Sequence, residues 1–223
     1  INEQIDSLAS DASLSDDDKK TLGTLYKTGL DTLDQISALT AQQKDLDKYL
    51  KDANRKLLRL ATDYTNQQKI QDLTSDDIKN ISDSDLDARL EKAQRDLVTA
   101  QIELNNASDA HNKVQTLPEK AQNTVTQTND KIKDLLSAID NNANPDLFKN
   151  RIYALLICQA NIEHSLFKNK LANLSILQDL ANYEQKIANI KYNRLDKDVK
   201  TLSLKKNLDY SVDDQEKQNK VIS

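Results

Sequence analysis

Two glycines and two prolines in 223 residues leave this chain almost nothing with which to punctuate a sheet or an irregular fold. Ordinary domains carry roughly 7% Gly and 5% Pro. The shortage predicts an all-α protein of long antiparallel helices in an extended coiled-coil or helical bundle, with no sheet. Tryptophan and methionine are absent. An encoded chain needs an initiator, so the start at Ile1 is expected to reflect removal of an upstream segment, either a cleaved signal or the rest of a larger protein. A single cysteine, Cys158, excludes an internal disulfide. Its setting in Tyr153-Ala-Leu-Leu-Ile-Cys158 predicts a small hydrophobe buried on an apolar helix.

Long apolar runs are missing too. The longest, Ile152 to Cys158, has seven residues, far short of the roughly 18 that cross a bilayer, so no membrane span is expected. What is present is polar: 37% hydrophobic, 4% aromatic and 30% charged residues, with a mean hydropathy of -0.73. Helices two or three layers deep, each with a wide polar face, fit that composition better than one thick core. Disorder is argued against by scarce Gly and Pro and by regularly spaced Leu and Ile. The formal charge is -5, with 31 basic and 36 acidic residues interspersed, which is not a nucleic-acid footprint. Asp16–Asp18 read as an acidic first helical turn.

Hydrophobic spacing then lays out the helices. Ser15 and Asp18 suggest a capping box. From there Leu22, Tyr26, Gly29, Leu33, Ile36, Leu39, Gln43, Leu46, Leu50, Ala53, Leu57, Leu60 and Tyr64 follow alternating three- and four-residue steps, the seam of one helix about 75 Å long. Gly23 and Gly29 on that helix signal close approach of a partner or a bend. Residues 66–84 are expected to be a connector holding one short helix capped by Ser75. A second long helix from about Ser84 carries Leu86, Leu90, Ala93, Leu97, Ala100, Leu104, Ala107 and Val114, with Glu91–Arg95 as an exposed i,i+4 pair. Thr116-Leu-Pro-Glu119 predicts a tight turn with Pro118 in the first turn of a third helix, which stops at 140–145. The fourth helix, from Asp146, is apolar on more than one face and is expected at the centre of its bundle. Asn173 as a left-handed C-cap and Ser175 as an N-cap would start the last helix, fraying after Tyr210. These boundaries give segments 1–83, 84–145 as an antiparallel hairpin, and 146–223 as a C-terminal hairpin with a charged tail, together one elongated helical domain.

No catalytic constellation emerges, so no catalytic, cofactor-binding or metal residue is assigned and no cofactor is expected. His111 and His164 lie on different helices without metal-ligand spacing, and Glu163 diverges from His164 by about 100° on the helix. Two glycines exclude a Gly-rich phosphate loop. The carboxylates fall on exposed positions without an apolar pocket to raise a pKa. Asn173-Leu-Ser175 is formally a glycosylation sequon, but it coincides with the expected cap.

Several segments are nevertheless distinctive. They are Ser84-Asp-Leu-Asp-Ala-Arg-Leu90, Glu91-Lys-Ala-Gln-Arg-Asp-Leu-Val-Thr-Ala-Gln-Ile-Glu-Leu104, Gln115-Thr-Leu-Pro-Glu-Lys-Ala-Gln122, Gln159-Ala-Asn-Ile-Glu163 and Leu174-Ser-Ile-Leu-Gln-Asp-Leu180. In this order and spacing they resemble the periplasmic, coiled-coil-rich N-terminal domain of large mechanosensitive channels of the MscK (KefA) type. Ile1-Asn-Glu-Gln-Ile-Asp-Ser-Leu8 and Leu30-Asp-Thr-Leu-Asp-Gln-Ile36 are similar to that family's mature N-terminus. Asn173 stands where the family usually has Gly, and Asn182-Tyr-Glu184 where it usually has Gln-Arg-Asp. The resemblance implies an extramembrane arm or rim of a Gram-negative inner-membrane channel that releases solutes in osmotic shock under potassium modulation. Its implied partners are the rest of the polypeptide and neighbouring subunits of a heptamer. Charged faces such as Asp196, Lys197, Asp198 and Lys200 would then respond to ionic strength. The alternative is a free-standing scaffold or adaptor that binds partner helices.

Overall fold

The computed structural model describes residues 15–140 and 147–222, and the expectations for 1–8 and 141–145 fall outside them. Among the described residues there are seven helices and no strand: α1 (Asp16–Lys51), α2 (Ala53–Lys69), α3 (Ser75–Ile78), α4 (Asp83–Gln115), α5 (Leu117–Asp140), α6 (Leu147–Ala172) and α7 (Leu174–Ile222). The all-α reading holds, and the caps explain where several helices start. Ser15 accepts the Asp18 amide at 3.1 Å and donates its hydroxyl to the Asp18 carboxylate at 2.6 Å. The short helix is capped by Thr74, one residue before the expected Ser75. Its box with Asp77 is complete in both directions, and the Thr74 hydrogen bonds hold the Asp77 carboxyl below the ordinary carboxylate range.

Three boundaries differ from expectation. The first helix is interrupted at Asp52, whose φ of -105° and ψ of 4° leave the helical region and turn its N–H to the Leu50 carbonyl. Asp competes for backbone partners and is a weak helix former, whereas Gly23 and Gly29 stay helical. Asn173 is not left-handed, since no described residue other than glycine has positive φ. Its side-chain amide donates to the Asn169 carbonyl at 2.9 Å, and α7 resumes at Leu174 with Ser175 already inside it. The last helix also continues to Ile222 instead of fraying after Tyr210.

Contacts divide the chain into two compact units, each built from two distant stretches. The first comprises Ile1–Asp52 and Thr116–Leu174, the second Ala53–Gln115 and Ser175–Ser223. In the first, α6 packs on both α1 and α5, the central place its apolar sequence predicts. Its partners on α1 lie 122–124 residues away: Gln35 with Gln159 and Asp47 with Asn169, so the two helices run parallel. Against α5 the numbering reverses. Lys120 faces Lys170, Thr128 meets His164, and Leu135 and Ala138 share a groove with Tyr153, an antiparallel pair.

The second unit repeats the scheme with α7 against α2 and α4. Lys56–Glu184 and Gln67–Arg194 lie 128 and 127 residues apart and run parallel, while Ser108–Gln185, Glu103–Lys191 and Asp87–Lys206 run antiparallel. Thus α4 draws partners from α7 within the second unit and α5 from α6 within the first. Local pattern shows that a helix has an apolar face, but it does not name the helix that covers it. Two apolar clusters anchor this unit. Ala53, Leu60, Leu180 and Ile187 form one, with Tyr64 and Tyr183 edge to face beside it at 5.8 Å; Ile78, Leu86, Leu90 and Leu202 form the other.

Candidate interaction surface

In the second unit, α7 presents a series of polar side chains to the helices on either side. Lys56 pairs with Glu184 at 2.6 Å, Lys191 with Glu103 at 3.6 Å, and Lys206 with Asp87 at 2.6 Å. Arg194 donates to Gln67 at 3.0 Å, and the Asp198 carboxylate accepts the Leu73 amide at 3.0 Å. Glu184, Lys191 and Asp198 recur every seven residues, a heptad of charges beside the apolar heptad of Leu180 and Ile187. That heptad spacing of charges is legible in the sequence itself.

Of the four charged residues expected to form one responsive face, only two reach another helix or the connector. Lys197 binds Asp72 at 2.7 Å and Asp198 holds the Leu73 amide, so both fasten the connector. Asp196 and Lys200 pair with each other along the helix at 2.7 Å. The hydrogen bond and charge of Asp72 raise the Lys197 ammonium above its ordinary pKa, and Asp196 does the same for Lys200. Such exposed pairs contribute little to stability. The expected Glu91–Arg95 pair is formed, also on the surface.

Beside these pairs is an open cleft of about 310 Å³ lined by Leu60, Glu103, Ala107, Ile187 and Lys191. A larger groove of about 810 Å³ includes Tyr64, Gln68, Ile70, Asn193, Arg194 and Lys197. Apolar side chains also reach solvent in i,i+4 pairs, Val98 with Ile102 on α4 and Leu204 with Leu208 on α7.

The first unit mixes polar side chains into its interior. Thr32 and Thr128 are buried and return their hydroxyls to the Thr28 and Thr124 carbonyls. On α1 it is Thr32, not the expected Leu33, that is buried, because the packing face passes through Gly29 and Thr32. Gln159 donates across to Gln35. The Thr128 hydroxyl oxygen also lies 3.3 Å from His164 Nδ1, so the two side chains meet across α5 and α6. His111, in the second unit, approaches Gln115 through Nε2 while its buried Nδ1 lacks a hydrogen-bond partner. No group of three or more His, Cys, Asp or Glu residues among the described residues is arranged to hold a metal.

Cys158 overturns its expected burial: it is exposed. The buried side of α6 carries Ile152, Gln159, Ala160, Leu166 and Phe167. At about 100° per residue Cys158 falls outside that arc, roughly 80° beyond its edge at Leu166. In the native chain, therefore, a water-soluble disulfide reagent is expected to titrate one thiol per chain without denaturant. Reaction only after addition of urea would contradict the exposure.

At the far end of α6, burial pushes the Lys170 ammonium below its ordinary value of 10.5, and the charge of Lys120 adds to that. At neutral pH Lys170 is protonated in both folded and unfolded chains, so the folded state carries the cost. The cost is relieved as pH rises through the lowered folded-state pKa. Lys120→Gln should raise the thermal midpoint at pH 7, and this advantage should shrink as pH rises through that lowered value. A melt series in pH and salt checks both the sign and the window.

The family model described as the mechanosensitive ion channel porin domain matches residues 4–207, nearly all of this helical architecture. The chain belongs to that family. Among the curated proteins and among the solved structures, nothing matches it. Despite the word porin, the described residues of this domain are built from helices. None of those helices is long and apolar enough to cross a membrane.

Proposed function

We propose that this porin domain is an extramembrane arm or rim of a mechanosensitive channel of the MscK (KefA) type, held in the periplasm of a Gram-negative cell. It supports assembly of the channel or modulates tension-gated, potassium-dependent release of ions in osmotic shock. It performs no catalysis and needs no cofactor. The observation that carries this reading is the family match across residues 4–207. The residues quoted above for the MscK resemblance support the finer assignment. The rest of the same polypeptide and neighbouring subunits, seven in the parent assembly, are the partners this reading requires.

The test is a patch-clamp comparison of the full-length channel with a version lacking residues 1–210, over a range of external potassium. Loss of potassium dependence, or of assembled channels, on deletion is the expected result. Identical tension thresholds, potassium response and channel number would overturn the role. A second set of recordings with Asp196, Lys197, Asp198 and Lys200 reversed in charge asks whether that face takes part.

The exposed Val98–Ile102 and Leu204–Leu208 pairs favour a second reading, a free-standing scaffold that binds partner helices. The parent reading frame separates the two. Hydrophobic spans downstream require the channel, and an intact soluble frame requires the scaffold.

A further inference from the structure

The interiors of the two units differ in kind. Every described buried residue of the second unit is apolar. In the first, Gly29, Thr32, Thr128 and Gln159 share the buried positions with Ala121, Ile152, Ala160, Leu166 and Phe167. A satisfied buried polar group contributes far less than an apolar side chain of equal size, because its hydrogen bonds in the protein only replace those it made to water. The first unit also bears the Lys120–Lys170 repulsion, while the second adds ion pairs across its helices.

Each of the three chain crossings from one unit to the other falls at or beside a helix interruption. Asp52 ends α1 at the first. Thr116 alone separates α4 from α5 at the second, just ahead of Pro118, which has no N–H to continue a ladder. Asn173 separates α6 from α7 one residue before the third. Helix formation is cooperative along an unbroken ladder, and an interruption lets one side melt without unwinding the other.

From these two observations we propose that the first unit opens as a cooperative unit of its own while the second stays folded. The domain then has a partly unfolded state at finite population, in which α1, α5 and α6 lose their packing and the clusters around Leu180 and Leu202 remain. Sub-global openings of this kind occupy the range between local fraying and global unfolding.

The experiment is hydrogen–deuterium exchange of the full 223-residue chain, followed by mass spectrometry across sub-denaturing urea. Amides in 117–140 and 149–172 are expected to exchange at least about tenfold faster than those in 86–115 and 176–205. They should also show a smaller urea dependence, since less surface is exposed. Two variants separate this from a general looseness. Leu166→Ala should accelerate exchange in the first set of segments and leave the second unchanged, whereas Thr128→Val should slow the first set. Equal protection in both sets, or acceleration of both by Leu166→Ala, would overturn the proposal.

Discussion

Leu180→Ala is expected to lower the free energy of unfolding by about 2–5 kcal/mol, read as a drop in the urea midpoint followed by helical circular dichroism. Leu180 is fully buried among Ala53, Leu60 and Ile187, with Leu57, Ile176, Tyr64 and Tyr183 around them. Truncation removes the transfer energy of its methyl groups and leaves a hole. Those neighbours belong to two helices fixed by ion pairs such as Lys56–Glu184, so the hole is not readily closed. Total stabilities of domains run about 5–15 kcal/mol, which makes this one substitution a large fraction of the whole. A loss below about 1 kcal/mol would mean that Leu180 is not enclosed as described.

The second large effect is at Gly29. A Cβ built there would lie 2.8 Å from the Cδ1 of Ile152, itself buried, whereas one built at Gly23 meets nothing within 4 Å. Gly29→Leu is therefore expected to cost about 1–3 kcal/mol or more through overpacking against α6. Gly23→Ala should instead gain about 1 kcal/mol from helix propensity. Opposite shifts of the two thermal midpoints are the expected outcome. Midpoints that move together would show that α1 does not approach α6 at Gly29. Of the two readings offered by the glycines, close approach is met at Gly29, while the interruption of the helix falls to Asp52.

Much of the fold was legible because the sequence writes helices plainly. Scarce Gly and Pro, the Ser15 cap and Pro118 set most ends to within a residue or two, and the all-round apolar character of 152–171 foretold the central helix of the first unit. Pairing was not legible. The true partners are fixed by complementarities such as Glu103 with Lys191 and Thr128 with His164, which local spacing does not encode. Cys158 misled for a related reason: an apolar stretch wraps the entire helix, and only the placement of α1 and α5 decides which part is covered. The candidate surface was half legible. Its charges were noticed, but their division into connector clamps and a private i,i+4 pair required the tertiary arrangement.

The parallel pairs carry a consequence for the order of folding. Gln35 waits for Gln159, Asp47 for Asn169 and Gln67 for Arg194, so each early helix meets its parallel partner only after more than a hundred further residues have been made. Such separations slow folding, since the entropy of closing the loop is spent before any contact rewards it. While the last third of the chain is still being made, α1 and α2 lack α6 and α7 to cover them. In that interval the unfinished chain offers its apolar seams to chaperones, and folding is a late event completed from the C-terminal third backwards.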